Sequence, residues 1–202
     1  MEPLTTSIRL TFLGTGTSQG VPVIGCDCAV CCSADARDRR LRTSAMVEVG
    51  TKRFIIDAGP DFREQMLREG VSHVTAILLT HKHKDHIGGL DDVRALNFVD
   101  YPRAIHTVHI YGTHDTCGCV RKDYDYAFSD NPYRGVPQIE LHEFGTEQFD
   151  IEGVNIIPIR GEHSRFEVTG FRFGRLAYLT DFKSIAEEEL QKLQGVEVLV
   201  VN

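Results

Sequence analysis

The chain has 202 residues, 42% of them hydrophobic, and a formal charge of −7. That suits one globular domain, 1–202, with an ample core. The acidic balance repels polyanions, so extended nucleic acid is excluded as a nonspecific partner, and an anionic substrate must be gripped locally by a few cations.

The opening stretch, MEPLTTSIRLTFLGTG, lacks the basic head, apolar centre and small-residue cleavage site of a leader. No later run is long enough to span a bilayer, so a cytoplasmic protein without a membrane partner is expected. From Ile8 to Leu13 the pattern is that of a strand, and GTGTSQG comes directly after it. Gln19 stands where a dinucleotide-binding loop wants its third glycine, and there is no Gly-Lys-Ser/Thr. The glycines are therefore read as a sharp turn at a strand end.

A polar loop rich in cysteine and arginine runs to about Thr43. SAMVEVG and RFIIDAG then form two strands, and PDFREQMLREG forms a short helix between Pro60 and Gly70. HVTAILLT reads as a buried strand, and GLDDVRALNFV as the next helix, beginning around Gly88. The alternation continues with the strand IHTVHIYG, a helical stretch from Thr113 to about Phe128, then QIELHEF, FDIEGVNIIPI, EVTGFRFG and RLAYLTDF. The charged helix SIAEEELQKLQG and a last strand, VEVLVV, complete it. Hairpins mixed with single helices predict α/β layers whose sheets are not purely parallel. The chain stops at Asn202 still in a strand pattern, which fits a natural end or a truncated chain.

One stretch concentrates the chemistry. LLTHKHKDHIGGL places three histidines and an aspartate within His81–His86, immediately after an apolar run. Residues two apart in extended chain face the same way, so His81 and His83 can share one cation. Asp85 and His86, beyond the turn, can aim at a second cation nearby, while Lys82 and Lys84 should point away. Two neighbouring cations would clamp the attacking and leaving oxygens of a displacement.

THKHKDHIGGL resembles the Thr-His-x-His-x-Asp-His-x-x-Gly-Leu signature of the metallo-β-lactamase fold superfamily. The resemblance implies a four-layer αββα sandwich of two mixed sheets with its site on the edge between them. It implies His163, in NIIPIRGEHSRF, as a further ligand, and Asp181, in LAYLTDF, as a carboxylate bridging both metals. Asp57, in FIIDAG, is implied to orient a ligand without binding metal. His81, His83 and His163 would hold one ion, and Asp85 and His86 the other. The two divalent ions would be zinc or manganese, generating a hydroxide that Asp85 orients. The superfamily's final histidine has no match here, which favours truncation after Asn202.

Four of six cysteines fall within Cys26–Cys32. Cys26, Cys28 and Cys31 form C-x-C-x-x-C, three corners of a tetrahedral structural zinc site; free thiols or a redox pair are the rivals. Cys32 is awkwardly adjacent, and Cys117 and Cys119 read as buried or helix-surface thiols, either able to serve as fourth ligand. LGTGTSQGVPVIGCDCAVC resembles the metallo-β-lactamase-fold phosphodiesterases of the carbon–phosphorus lyase pathway, which cleave a phosphoribosyl cyclic phosphate. That family implies a small cyclic or organic phosphodiester as substrate and a C-terminal histidine as fourth zinc ligand. Rival resemblances are the pyrroloquinoline-quinone biosynthesis protein B type, the tRNA 3′-processing nuclease type, and thioester or lactam hydrolases. A non-catalytic metal-binding or redox-sensing module is the alternative from another class. A homodimer is admitted. Arg160 and Arg165 flank His163, but solvated arginines are common and they are left outside the site.

Overall fold

The computed structural model describes residues 7–130 and 133–202. Residues 1–6, the start of the segment read as lacking a leader, lie outside the described residues. Strand β1 (Ile8–Gly14) opens an antiparallel meander with β2 (Ser44–Val49) and β3 (Lys52–Ile56). Helix α1 (Phe62–Glu69) ends on Gly70, whose φ of 63° lets it close the last turn. Then β4 (Ala76–Leu78), β5 (Val108–Gly112) and β6 (Ile139–Glu143) join in parallel, giving a six-stranded sheet in sequence order. The connections carry α2 (Lys84–Ile87), α3 (Arg94–Asn97) and α4 (His114–Asp123). The second sheet has the order β11-β10-β9-β8-β7, from β7 (Phe149–Ile151), β8 (Val154–His163), β9 (Phe166–Phe173), β10 (Leu176–Leu179) and β11 (Val198–Val201). Only the β10–β11 pair in it is parallel, so both sheets are mixed.

Alternation along the strands sorts the core into layers. Val47, Phe54, Ile56 and Leu78 point from the first sheet toward Ile156, Phe171, Phe173 and Tyr178 of the second, with the Phe54 and Phe173 rings 5.4 Å apart. The other faces of β2, β3 and β4 send Met46, Ile55 and Ile77 against Phe62, Ile87, Leu90 and Val120 of the helical layer. The outer face of the second sheet is covered by Ile185, Leu193 and Val196, packed on Ile159, Ala177 and Leu179. The result is the αββα sandwich. Among the described residues no helix is long and apolar enough to cross a membrane.

Two elements depart from the sequence pattern. The helix expected from Gly88 instead begins at Lys84, with the extended His83 (ψ 147°) as its N-cap, so Asp85 and His86 lie inside its first turn. It is then interrupted by a 3₁₀ turn, Leu90–Val93, before α3. The interruption comes from close packing: Gly89 donates its N–H to the Ala58 carbonyl, and a Cβ there would lie 2.0 Å from the Gly59 carbonyl. The charged helix near the end shrinks to α5 (Glu187–Leu190) and a 3₁₀ turn. Buried Glu189 accepts the Arg160 N–H at 2.8 Å and Lys192 Nζ at 3.0 Å, tying the segment to β8 and holding it short.

The strand ends converge. β3 runs into Asp57, β4 into Thr80 and His81, β8 ends on His163, and β10 leads into Asp181. The Thr169 N–H donates to the Thr80 carbonyl at 2.9 Å and ties the two sheets together at that rim. A Cβ on Gly59 would lie 1.9 Å from the Asp85 carbonyl. Gly59→Ala is therefore expected to lower stability by about 1–3 kcal/mol through overpacking. Gly118→Ala, with nothing within 4 Å on α4, should be neutral or stabilise by up to about 1 kcal/mol. Urea unfolding of both variants checks the contrast.

Candidate metal centre

Thr80, buried at the end of β4, sets the orientation of the histidines beside it. Its N–H and its hydroxyl donate to the two oxygens of Asp57, both at 2.8 Å, and its Oγ1 lies 2.9 Å from His81 Nδ1. With the hydroxyl hydrogen given to Asp57, Oγ1 accepts from His81 Nδ1–H, which leaves the His81 Nε2 lone pair facing inward. His81 Nε2 is 2.9 Å from His83 Nδ1, and the His163 ring stands 5.3 Å from His81 and 5.1 Å from His83 between centroids. Ligand atoms on a zinc tetrahedron with bonds near 2.0–2.1 Å lie about 3.3 Å apart. One nitrogen from each of His81, His83 and His163 falls within 4.8 Å of the others.

His86 faces the other way around the same centre. Its Nδ1 is 2.7 Å from Asp57 Oδ2 and donates to it. The opposite nitrogen, Nε2, is fully buried and makes no hydrogen bond, although Asp181 Oδ2 lies 2.8 Å and Asp85 Oδ2 3.3 Å away. The contacts are short but out of line for donation. Nε2 set between two carboxylates calls for a positive charge, which either a proton on the imidazole or a divalent cation among the three groups supplies. His81, His86 and Asp181 form a second donor trio, sharing His81 with the first. Lys82 and Lys84 point away as expected, Lys82 to Asp115 at 2.6 Å and Lys84 to Asp123, both on α4.

The two buried imidazoles are driven in opposite directions. Burial, with His86 and His83 nearby, pushes His81 down to about 3, so its nitrogen is free at neutral pH. Burial disfavours charge on His86, yet the Asp57, Asp181 and Asp85 carboxylates outweigh it and push His86 up to about 12. His86 in turn holds Asp181 and Asp85 below the usual carboxylate range. Asp57 and Asp181 both adopt left-handed backbone, φ 64° and 61°, a conformation uncommon away from glycine and often found at functional sites.

His83, Asp85, His163 and Asp181 line a cleft of about 570 Å³ together with Thr15, Gly16, Thr17, Ser18 and Thr43. The reading of Gly14 and Gly16 as turn glycines agrees with the crowding, since Cβ atoms there would lie 1.9 Å and 2.8 Å from backbone oxygens of Arg42 and Arg40. Sequence reasoning missed Asn202, which also lines the cleft: its Oδ1 accepts the Asp181 N–H at 2.8 Å. It missed Thr80 and Thr43 as well; polar residues whose partners come from other strands carry no local signal. Arg160 pairs with Glu167 and Glu189, and neither it nor Arg165 lines the cleft. A larger groove of about 620 Å³, along Ile8, Leu176 and Val198, contains none of the clustered histidines.

The thiols of Cys26, Cys28 and Cys31 also converge within 4.8 Å of one another. The Cys31 N–H points at Cys28 Sγ and, with the neighbouring Cys26 thiol, lowers Cys28 to about 7, favouring the thiolate that metals bind. Cys32 is exposed and stands outside the trio. Cys117 is buried on α4 with Sγ 3.6 Å from the His142 carbonyl, and burial raises it to about 11; it and Cys119 are likewise outside the trio.

A family model described as "Beta-lactamase superfamily domain" matches residues 52–202. A crystal structure described as a new diphosphatase from the PhnP family is 44% identical, with a TM-score of 0.86 over 96% of this chain and 73% of that one. Zinc-bound PqqB from Methylobacterium extorquens superposes at TM-score 0.67 with 23% identity, over 96% and 72% of the two chains, a likeness of fold. The octanoyltransferase of Porphyromonas gingivalis is 39% identical over 197 residues, 96% of this chain but 39% of that protein. The chain thus spans about two fifths of that curated relative's length.

Asp57→Asn keeps the shape but removes the charge that orients His86. It should weaken divalent-metal affinity by about 10–100-fold, read by competition with a chromogenic chelator. Cys28→Ser should lower bound zinc by one ion per chain in elemental analysis, and the loop from Gly20 to Arg42 should be cleaved faster by protease.

Proposed function

The chain belongs to the β-lactamase superfamily, and from that membership and the geometry of the cleft we propose that it is a metal-dependent hydrolase of a small phosphodiester. The reading rests on one observation: side chains from three strand ends and helix α2 form two overlapping donor sets, with buried His86 Nε2 aimed between two carboxylates. The similarity to a PhnP-family diphosphatase supports phosphoryl over acyl chemistry. The octanoyltransferase shares this region as 39% of its length, so its name does not specify what the shared part does.

In this reading His81, His83 and His163 would hold one divalent ion, zinc or manganese, and His86 and Asp85 a second, with Asp181 available to both. Such ions supply Lewis acidity, acidifying a water and drawing charge from phosphoryl oxygens. Asp85, on the cleft wall, accepts a hydrogen bond from the attacking water and sets its direction in line with the leaving oxygen. Asp57 keeps the His86 tautomer through Nδ1–H, and Asn202 steadies the Asp181 backbone. Thr17 and Ser18 line the same cleft and can donate hydroxyl hydrogens to non-bridging phosphoryl oxygens. Cys26, Cys28 and Cys31 hold a structural zinc that fixes the adjoining loop.

The test is hydrolysis of bis(p-nitrophenyl) phosphate and of a nucleoside diphosphate ester by purified protein, before and after chelation. Turnover should vanish with chelator and return with zinc or manganese. Asp85→Asn should lower kcat/KM by about 10²–10⁴-fold. Hydrolysis of a thioester or lactam probe with neither phosphoryl substrate cleaved would sink the proposal. So would a single thiolate-bound ion with no turnover, the result expected of a non-catalytic module.

A further inference from the structure

Four histidines outside the cleft, His73, His106, His109 and His142, form two clusters on the flank of the six-stranded sheet. One belongs to edge strand β6 and its neighbour β5. Their parallel register sets His109 opposite Glu140 and Tyr111 opposite His142. Because side chains alternate along a strand, all four project from one face, and two imidazoles and a carboxylate meet there. His109 Nδ1 and His142 Nε2 are 2.9 Å apart, a hydrogen bond between the rings that an ion would replace. Glu140 holds one oxygen 3.5 Å from His109 Nδ1 and the other 3.7 Å from His142 Nε2.

Glu140 does not close a hydrogen-bond network with the two rings. A carboxylate serving either imidazole as acceptor would sit near 2.8 Å, about 0.7 Å closer to His109 and about 0.9 Å closer to His142 than it does. Ligand atoms around a tetrahedral ion stand about 3.3 Å from one another, which the three separations bracket. The second cluster differs in this respect: His73 Nε2 and His106 Nε2 lie 3.1 Å and 2.7 Å from the same Asp100 oxygen, a satisfied fork. The His142 ring is also held in place. It stacks on Tyr111 at 4.5 Å and 17°, and Tyr111 stacks on Phe149 at 5.8 Å and 12°. His109 and His142 remain 40% and 30% exposed, so an ion can enter and keep water in its remaining positions.

We propose that His109, Glu140 and His142 bind a divalent first-row transition metal of the zinc or nickel class, which staples edge strand β6 to β5. Two imidazoles and one carboxylate match the ligand preference of that class over magnesium or calcium. An edge strand is held on one side only, and a cross-strand ion adds a restraint there at any concentration above its dissociation constant. The site shares no residue with the cleft or with the cysteine loop, so it stands or falls independently of the phosphodiesterase reading.

The test uses the fully metallated protein at about 10 µM free zinc or nickel, well above the dissociation constant expected of a working site. Anomalous diffraction from soaked crystals should place an ion about 2.0–2.2 Å from His109 Nδ1 and His142 Nε2. His142→Gln should bind one ion fewer per chain than wild type and lose the metal-dependent rise in melting temperature. Glu140→Gln, a change at a half-exposed carboxylate that leaves the fold intact, should weaken the same ion about tenfold. Equal ion counts in wild type and both variants would overturn the proposal. Occupancy that begins only near 1 mM free metal, about a hundredfold weaker, would overturn it too.

Discussion

Asp57 is the group on which the geometry of the centre depends. Its carboxylate is 1% exposed and accepts from the Thr80 N–H, the Thr80 hydroxyl and His86 Nδ1. A buried carboxylate without partners would cost several kcal/mol, so the three donors are drawn to it and held. Through those bonds one side chain sets where β4 ends relative to β3, which nitrogen of His86 stays bare, and where the Thr80 hydroxyl leaves room for His81. The left-handed backbone at Asp57 is part of the same constraint, since it turns the carboxylate back toward β4. His86 is therefore fixed through Nδ1 on one side, with Nε2 directed at Asp181 and Asp85 on the other.

Packing then carries that local order across the molecule. The loop after β3 lies so close to α2 that Gly59 and Gly89 have no space for a methyl group, and Ala58 exchanges backbone hydrogen bonds with both His86 and Gly89. The second sheet arrives through the shared core of Phe54, Phe171 and Phe173 and through the Thr169–Thr80 bond, bringing His163 and Asp181 to the same rim. Donors placed on strand ends and one short helix are held more rigidly than donors on free loops, as a site needing sub-ångström placement requires.

Much of this order is legible in the chain. The His81–His86 spacing shows through because alternation along extended chain and one helical turn are short-range properties. The β2–β3 hairpin shows through its Gly50-Thr51-Lys52 turn. His163 and Asp181 are different: each is one polar residue at a strand end, and only resemblance to a family gives them meaning. The start of α2 is hidden because His83 is extended while the next residue is already helical, and the paired glycines mark its end, not its beginning. Asn202, Thr43 and the His109–His142 pair are invisible in sequence, since their partners lie across sheet register or between sheets.

The cleft also constrains how an anion could be held. Among the described lining residues there is no lysine or arginine, while Asp85 and Asp181 contribute negative charge. The nearby cations Arg42, Lys82 and Lys84 are engaged elsewhere, Arg42 with Asp61 at 2.8 Å, Lys82 with Asp115, and Lys84 with Asp123. In a chain of formal charge −7, the proposed phosphodiester would then have to be attracted by ions held at the histidines and by hydroxyls such as those of Thr17 and Ser18. On that reading binding and catalysis would depend on the same ions, so losing them would remove affinity along with rate. Discrimination among anions falls to the hydroxyls and the shape of the Gly16–Ser18 turn, whose position is fixed by backbone pairing with the arginine-rich segment at Arg40–Arg42.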